Sequence, residues 1–108
     1  MYQEKYLLFT NGGGSTDPLN WSKDEAALYP VSKFLGIRPA SYNTLEMFFG
    51  DFSGSEKVIL KIKNGSHARV MSTIGNAIAN NTSGVITIVD LDSGRMIDND
   101  IFGVTLTN

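Results

Sequence analysis

The single histidine of the chain, His67, lies in KIKNGSHARVMSTIGNAI, residues 61–78. Around it stand Lys61, Lys63, Ser66 and Arg69. With Lys57, these residues form the only concentration of positive charge in the chain. Such a group could hold a phosphate or a carboxylate. Ammonium and guanidinium groups supply charge, and the free N–H groups at a helix mouth supply donors. Lys61, Lys63, Ser66, His67 and Arg69 are therefore the candidate ligand-binding residues. A structural role competes with this one. Ser66 can accept a hydrogen bond from a first-turn amide, with Asn64-Gly65 supplying the turn. Alternate lysines can cover the wet face of a strand. Capping fits better, because the phosphate-cradling patterns G-x-x-x-x-G-K-[ST] and G-x-G-x-x-G are both absent.

Other chemistry finds less support. A catalytic His67 would need a nucleophile and an orienting carboxylate, and no G-x-S-x-G elbow occurs. The chain has no cysteine and one histidine, too few ligands for a usual transition-metal site. Asp90, Asp92, Asp98 and Asp100 form the best carboxylate cluster. Counted from Asp90, however, the sixth and twelfth positions of a calcium loop are Arg95 and Ile101, not Gly and Glu. Turn formation explains these aspartates better. NGGGSTDP, residues 11–18, has the glycines of a phosphate cradle but no following lysine, and reads as a loop. No enzyme activity, metal or cofactor is expected. Trp21, Tyr29, Phe34, Tyr42, Phe48, Phe49 and Phe52 crowd the first half, mostly on segments apart from the lysines. They point to a core or a subunit interface, with Phe48 and Phe52 as interface anchors.

These residues must be placed by a strand-rich fold. Tyr2–Thr10 reads as a strand, and residues 19–27 as an ambiguous stretch with room for one helical turn. Val31–Ile37 reads as a strand, with Val31, Leu35 and Ile37 on one face and Pro39 as its breaker. Thr44–Phe49 and Lys57–Lys63 alternate with period two and predict an antiparallel hairpin with a connection longer than two residues. Val70, Met71, Ile74, Ala77 and Ile78 form one stripe of a helix over about 66–80. Gly75 is expected to let that helix approach the sheet. NNTSG should end it, with Gly84 at the C-terminus. Val85–Leu91 reads as a central strand covered on both faces, followed by a turn at Asp92-Ser93-Gly94 and a short strand at Arg95–Ile97. Ile101–Leu106 is the last strand, with Phe102, Val104 and Leu106 inward.

The expectation is an α+β domain spanning residues 1–108. It has a mostly antiparallel, curled sheet of about six to seven strands, with one amphipathic helix on it. If 57–63 and 85–91 lie parallel in one sheet, the helix is their crossover. One helix cannot cover both faces of such a sheet. A homo-oligomer is therefore expected.

With 108 residues, 42% of them hydrophobic, the chain can bury a core without disulfides. The net charge of −2 argues against broad nucleic-acid binding, which draws on surplus Lys and Arg. The N-terminus, MYQEKYLLFT, lacks the pattern of a signal peptide, and no apolar run is long enough to span a membrane. Synthesis in the cytoplasm is expected.

Three segments, YPVSKFLGIRPASYNTLEMFFGDF, KIKNGSHARVMSTIGNAI and VITIVDLDSGRMIDNDIFGV, cover about residues 29–104. In their order they resemble small uncharacterised proteins of marine tailed phages and related environmental sequences. The resemblance implies a virion-associated or accessory component with virion proteins as partners. It brings no catalytic signature. The expected function is that of a small, non-enzymatic, self-associating structural protein. The alternative is a binding module for an anionic ligand or single-stranded nucleic acid through residues 57–69.

Overall fold

The computed structural model describes residues 4–11, 26–51, 54–80 and 84–107. Along these run β1 (Lys5–Thr10), β2 (Ala26–Pro30), β3 (Phe34–Ser41), β4 (Thr44–Asp51), β5 (Gly54–Ile62), α1 (His67–Asn80), β6 (Gly84–Asp90), β7 (Arg95–Met96) and β8 (Ile101–Thr107). The expected α+β class holds. The single sheet of six to seven strands does not, because the strands divide into two sheets of four. The first has the order β2-β1-β6-β7, with β1 and β6 parallel and the other pairs antiparallel. The second, β3-β4-β5-β8, is antiparallel throughout.

Alternation along the β4–β5 hairpin decides which face is buried. Leu45 opposes Leu60 and Met47 opposes Val58, and all four are fully buried. Asp51 pairs with Gly54, so two residues join the strands where a longer connection was expected. The inner residues of β1, β4, β5, β6 and β8 meet Val70 and Ile74 of α1 in one apolar cluster. At one end, Phe49 gathers three rings. Tyr29 stacks on it at 4.3 Å, Phe34 tilts against it at 5.5 Å and Phe9 stands edge-on at 5.9 Å. Each sheet thus supplies cover for the other, with the helix as a third element. The uncovered face invoked for an oligomer is met by a second layer of the same chain.

Long-range pairing also alters local expectations. Ala26 and Ala27 belong to a strand, not to a helical turn, because β2 pairs along β1. Val31–Lys33 form a single turn of 3-10 helix, and β3 begins only at Phe34. It runs through Pro39, which an edge strand tolerates. Leu35 is 65% exposed, off the face expected for it. The parallel partner of β6 is β1, not β5; α1 therefore carries the chain between sheets and is not a crossover within one. Central β6 buries Ile86, Ile88 and Val89 but leaves Val85 exposed, so it is not covered on both faces. In β8, Ile101 opposes Ile62 and Gly103 opposes Lys61. Phe102 is the extra residue of this bulge and is 55% exposed, while Ile101, Val104 and Leu106 are buried. The expected inward Phe102 is thus corrected by one register shift.

Helix α1 keeps its predicted stripe, with Met71, Ala77 and Ile78 flanking buried Val70 and Ile74. Gly75 is exposed, and a Cβ there would meet nothing within 4 Å; it mediates no close approach. The Lys5 ammonium donates to the Ile78 carbonyl, placing a cation at the negative end of the helix. The helix ends at Asn80, the first residue of NNTSG, and Gly84 opens β6 opposite Lys5. The loop expected at NGGGSTDP, beyond Asn11, residues 19–25 of the ambiguous stretch, Phe52 and residues 81–83 of NNTSG lie outside the described residues.

Candidate functional site

The start of α1 is built as a joint between three segments. Gly65 has φ +79°, a left-handed turn that glycine adopts without a Cβ clash. Its N–H donates to the Tyr42 carbonyl at 3.3 Å. The Ser66 carbonyl accepts the first helical bond from Val70 N at 3.0 Å. Its hydroxyl, however, donates to the Lys63 carbonyl at 2.7 Å. The side chain thus ties the turn together and does not cap a first-turn amide as expected. His67 Nε2 lies 2.6 Å from the Ser41 carbonyl, fastening the helix to the β3–β4 turn. Arg69 Nη2 donates to Asp98 Oδ1 at 2.7 Å and to Asp100 Oδ2. Asp98 also accepts from the Asp100 N–H at 2.9 Å and the Thr73 hydroxyl at 3.2 Å. The Asp100 amide, with help from Arg69 and Thr73, holds the Asp98 carboxyl below its ordinary range.

Three of the five candidate residues, Ser66, His67 and Arg69, therefore have partners within the fold. Lys61 and Lys63 are exposed and form no ion pair among the described residues. They open onto the outer face of the second sheet, whose composition follows from register. Across β4 and β5, Thr44 faces Lys61, Glu46 faces Ile59 and Phe48 faces Lys57. In β3, Arg38 lies opposite Glu46. Glu46 pairs with Lys57 at 3.1 Å and with Arg38 at 3.4 Å. Lys57, and secondarily Arg38, hold its carboxyl below the usual value. The Arg38 guanidinium sits 4.9 Å above the centre of the Phe48 ring, a cation–π arrangement. Beside it, Leu35, Gly36, Ile37, Arg38 and Phe48 line an open depression of about 450 Å³.

The fold adds two aromatics to this face that residue spacing does not connect with the lysines. Ile62 N donates to the Asn43 carbonyl at 2.8 Å, which puts Tyr42 beside the end of β5. Lys63 N donates to the Asp100 carbonyl at 2.9 Å, and Lys61 opposes Gly103, which puts Phe102 on the other side. Tyr42 is 71% and Phe102 55% exposed. The signal for Tyr42 lay in its exposed turn, Ser41-Tyr42-Asn43. Phe102 gave none, since its strand alternation pointed inward.

Asp90 accepts from Thr10 Oγ1 at 2.8 Å and from Ser93 Oγ at 2.7 Å. These contacts, Ser93 first, hold its carboxyl below the ordinary value and make it a turn-former. Among the described residues no group of three metal-ligating side chains occurs, and no helix is long and apolar enough to cross a membrane. No family model, curated protein or solved structure matches the chain.

Proposed function

We propose that this protein is a non-enzymatic interaction module that self-associates through the outer face of its first sheet. One observation carries the reading. Tyr6 lies opposite both Pro30 and Val85, and Leu8 opposite both Leu28 and Thr87. These residues alternate with buried Leu7 and with Phe9 and so share the outer face. Leu28 is 51%, Val85 58% and Tyr6 36% exposed. Among the described residues the centre of this face carries no charged side chain; Asp90 and Arg95 stand at one end and Glu4 at the other. A charged partner finds nothing to pair with there. A second copy brings the same apolar surface, and two such sheets can pack face to face. The non-enzymatic part is supported by His67, whose Nε2 meets a backbone carbonyl and not a hydroxyl or carboxylate. The resemblance to small phage proteins agrees with a particle or accessory component present in repeated copies.

The test is absolute mass by light scattering on a sizing column, over a range of concentrations at low and high salt. The expected result is a discrete multimer insensitive to salt. Leu28→Glu/Val85→Glu should convert it to a monomer with an unchanged circular dichroism spectrum. A wild-type protein that stays monomeric at high concentration refutes the proposal.

A further inference from the structure

The geometry points to the outer face of the second sheet as a binding surface for single-stranded nucleic acid, with Tyr42, Lys61, Lys63 and Phe102 at the end of β5. This surface is separate from the apolar face of the first sheet, so either role can fail without the other.

Charge is the first ground. Arg38, Lys57, Lys61 and Lys63 border this face with Glu46 as the one acid among them. Among the described residues the local balance is +3, on a chain whose net charge is −2. The neighbouring group of Arg69, Asp98 and Asp100 adds one negative charge and leaves the balance positive. Glu46 already engages Arg38 and Lys57, whereas Lys61 and Lys63 form no ion pair among the described residues. The chain as a whole should repel a polyanion weakly, and this face should attract one. The expectation against nucleic acid rested on net charge, which does not register this segregation.

Ring placement is the second ground, and it selects the kind of polyanion. Exposed aromatic rings are costly to leave in water and gain nothing from an acidic protein surface. They do gain from nucleobases, whose flat faces stack on them. Tyr42 and Phe102 flank the end of β5, where the two lysines emerge. The rise of an extended strand puts Lys57 and Lys63 roughly 20 Å apart, the reach of a few nucleotides. A duplex hides its base faces, so the surface should prefer a single strand. The aliphatic stem of Lys61 lies along Gly103, where a Cβ would come within 3.2 Å of its Cδ. Glycine there leaves room for that stem.

The experiment uses fluorescence anisotropy with a fluorescein-labelled 20-nucleotide oligo(dT), the corresponding dA·dT duplex and labelled polyglutamate. The proposal expects binding of the single strand in 20 mM salt, with affinity falling roughly 15- to 60-fold for each fourfold rise in salt. That slope corresponds to three or four neutralised phosphates. Tyr42→Ala and Phe102→Ala should each weaken oligo(dT) binding at least about fivefold with little effect on salt slope. Lys61→Glu/Lys63→Glu should abolish it. Both rings are exposed, so neither truncation removes a core residue, and circular dichroism checks each variant. No binding in 20 mM salt overturns the proposal. So does equal binding of polyglutamate or duplex, or affinity unaffected by both ring truncations, since either result would leave only charge at work.

Discussion

Phe48 and Phe49 are chain neighbours of identical chemistry, and the fold gives them opposite duties. Phe49 is 1% exposed and touches three other rings; Phe48 is half-buried on the outer face beneath Arg38. Replacing each by leucine keeps an apolar side chain and removes the ring. For Phe49→Leu, aromatic pairs contribute about 0.5–1.5 kcal/mol each beyond buried area, and three are lost. The leucine also fills the space less completely. Because such contributions overlap, the expected cost is about 2–3 kcal/mol. For Phe48→Leu the loss is one exposed cation–π contact and some half-buried area, below about 1 kcal/mol. Urea unfolding followed by circular dichroism reads the difference. With a slope of about 2 kcal/mol per molar, typical of a small domain, Phe49→Leu should lower the midpoint by about 1–1.5 M. Phe48→Leu should lower it by less than about 0.5 M, both with unchanged slope. Equal losses, or a larger loss at Phe48, would refute the reasoning. A slip of one residue in β4 exchanges its faces, so that result would mean the wrong face of β4 has been assigned to the core.

Three further outcomes follow from single residues. Gly75→Ala fills open space on an exposed helix position and removes a poor helix former, so it should stabilise by about 0.5–1 kcal/mol. Calorimetry should show the midpoint rising by roughly 3–6 °C. Stability should also depend on pH at both extremes. Burial, with Glu56 beside it, raises the Tyr29 hydroxyl well above its ordinary 10.0. The unfolded chain therefore loses this proton first. The contribution is intact below about pH 10 and lost as pH rises through the higher folded value, and Tyr29→Phe should remove that alkaline part. Asp98 is shifted the other way, below 3.8. Its contribution is full above about pH 4 and lost as pH falls through the lower folded value. Asp98→Ala should therefore flatten the acid limb of a urea-midpoint series.

Patterns that depend only on near neighbours were legible in the chain. The alternation of Leu45, Met47 and Phe49 against Val58, Leu60 and Ile62 identified a hairpin and its buried side. The 3.6-residue stripe of Val70, Ile74 and Ile78 identified the helix and its inner face. Asn64-Gly65 and Ser93-Gly94 marked turns, because glycine there relieves a backbone constraint that acts within a few residues. The candidate basic stretch was visible for the same reason, as charge concentrated along one short segment.

Tertiary structure decided what those segments meet. Division into two sheets depends on β6 pairing with β1 and β8 with β5, contacts between residues far apart in sequence that no local period encodes. The same distance effect reassigned the basic stretch. Asp98 and Asp100 come from the β7–β8 connection to engage Arg69, and the Ser41 carbonyl comes from the β3–β4 turn to engage His67. Lys61 and Lys63 remain outward and acquire Tyr42 and Phe102 as neighbours. Phe102 shows the physical reason most directly. Period-two alternation assigns it to the core, but one unpaired residue between the positions opposite Lys61 and Ile62 turns it to the surface. Hydrophobic spacing determined that these strands and this helix would form; only the register between distant strands determined which side chains face solvent together.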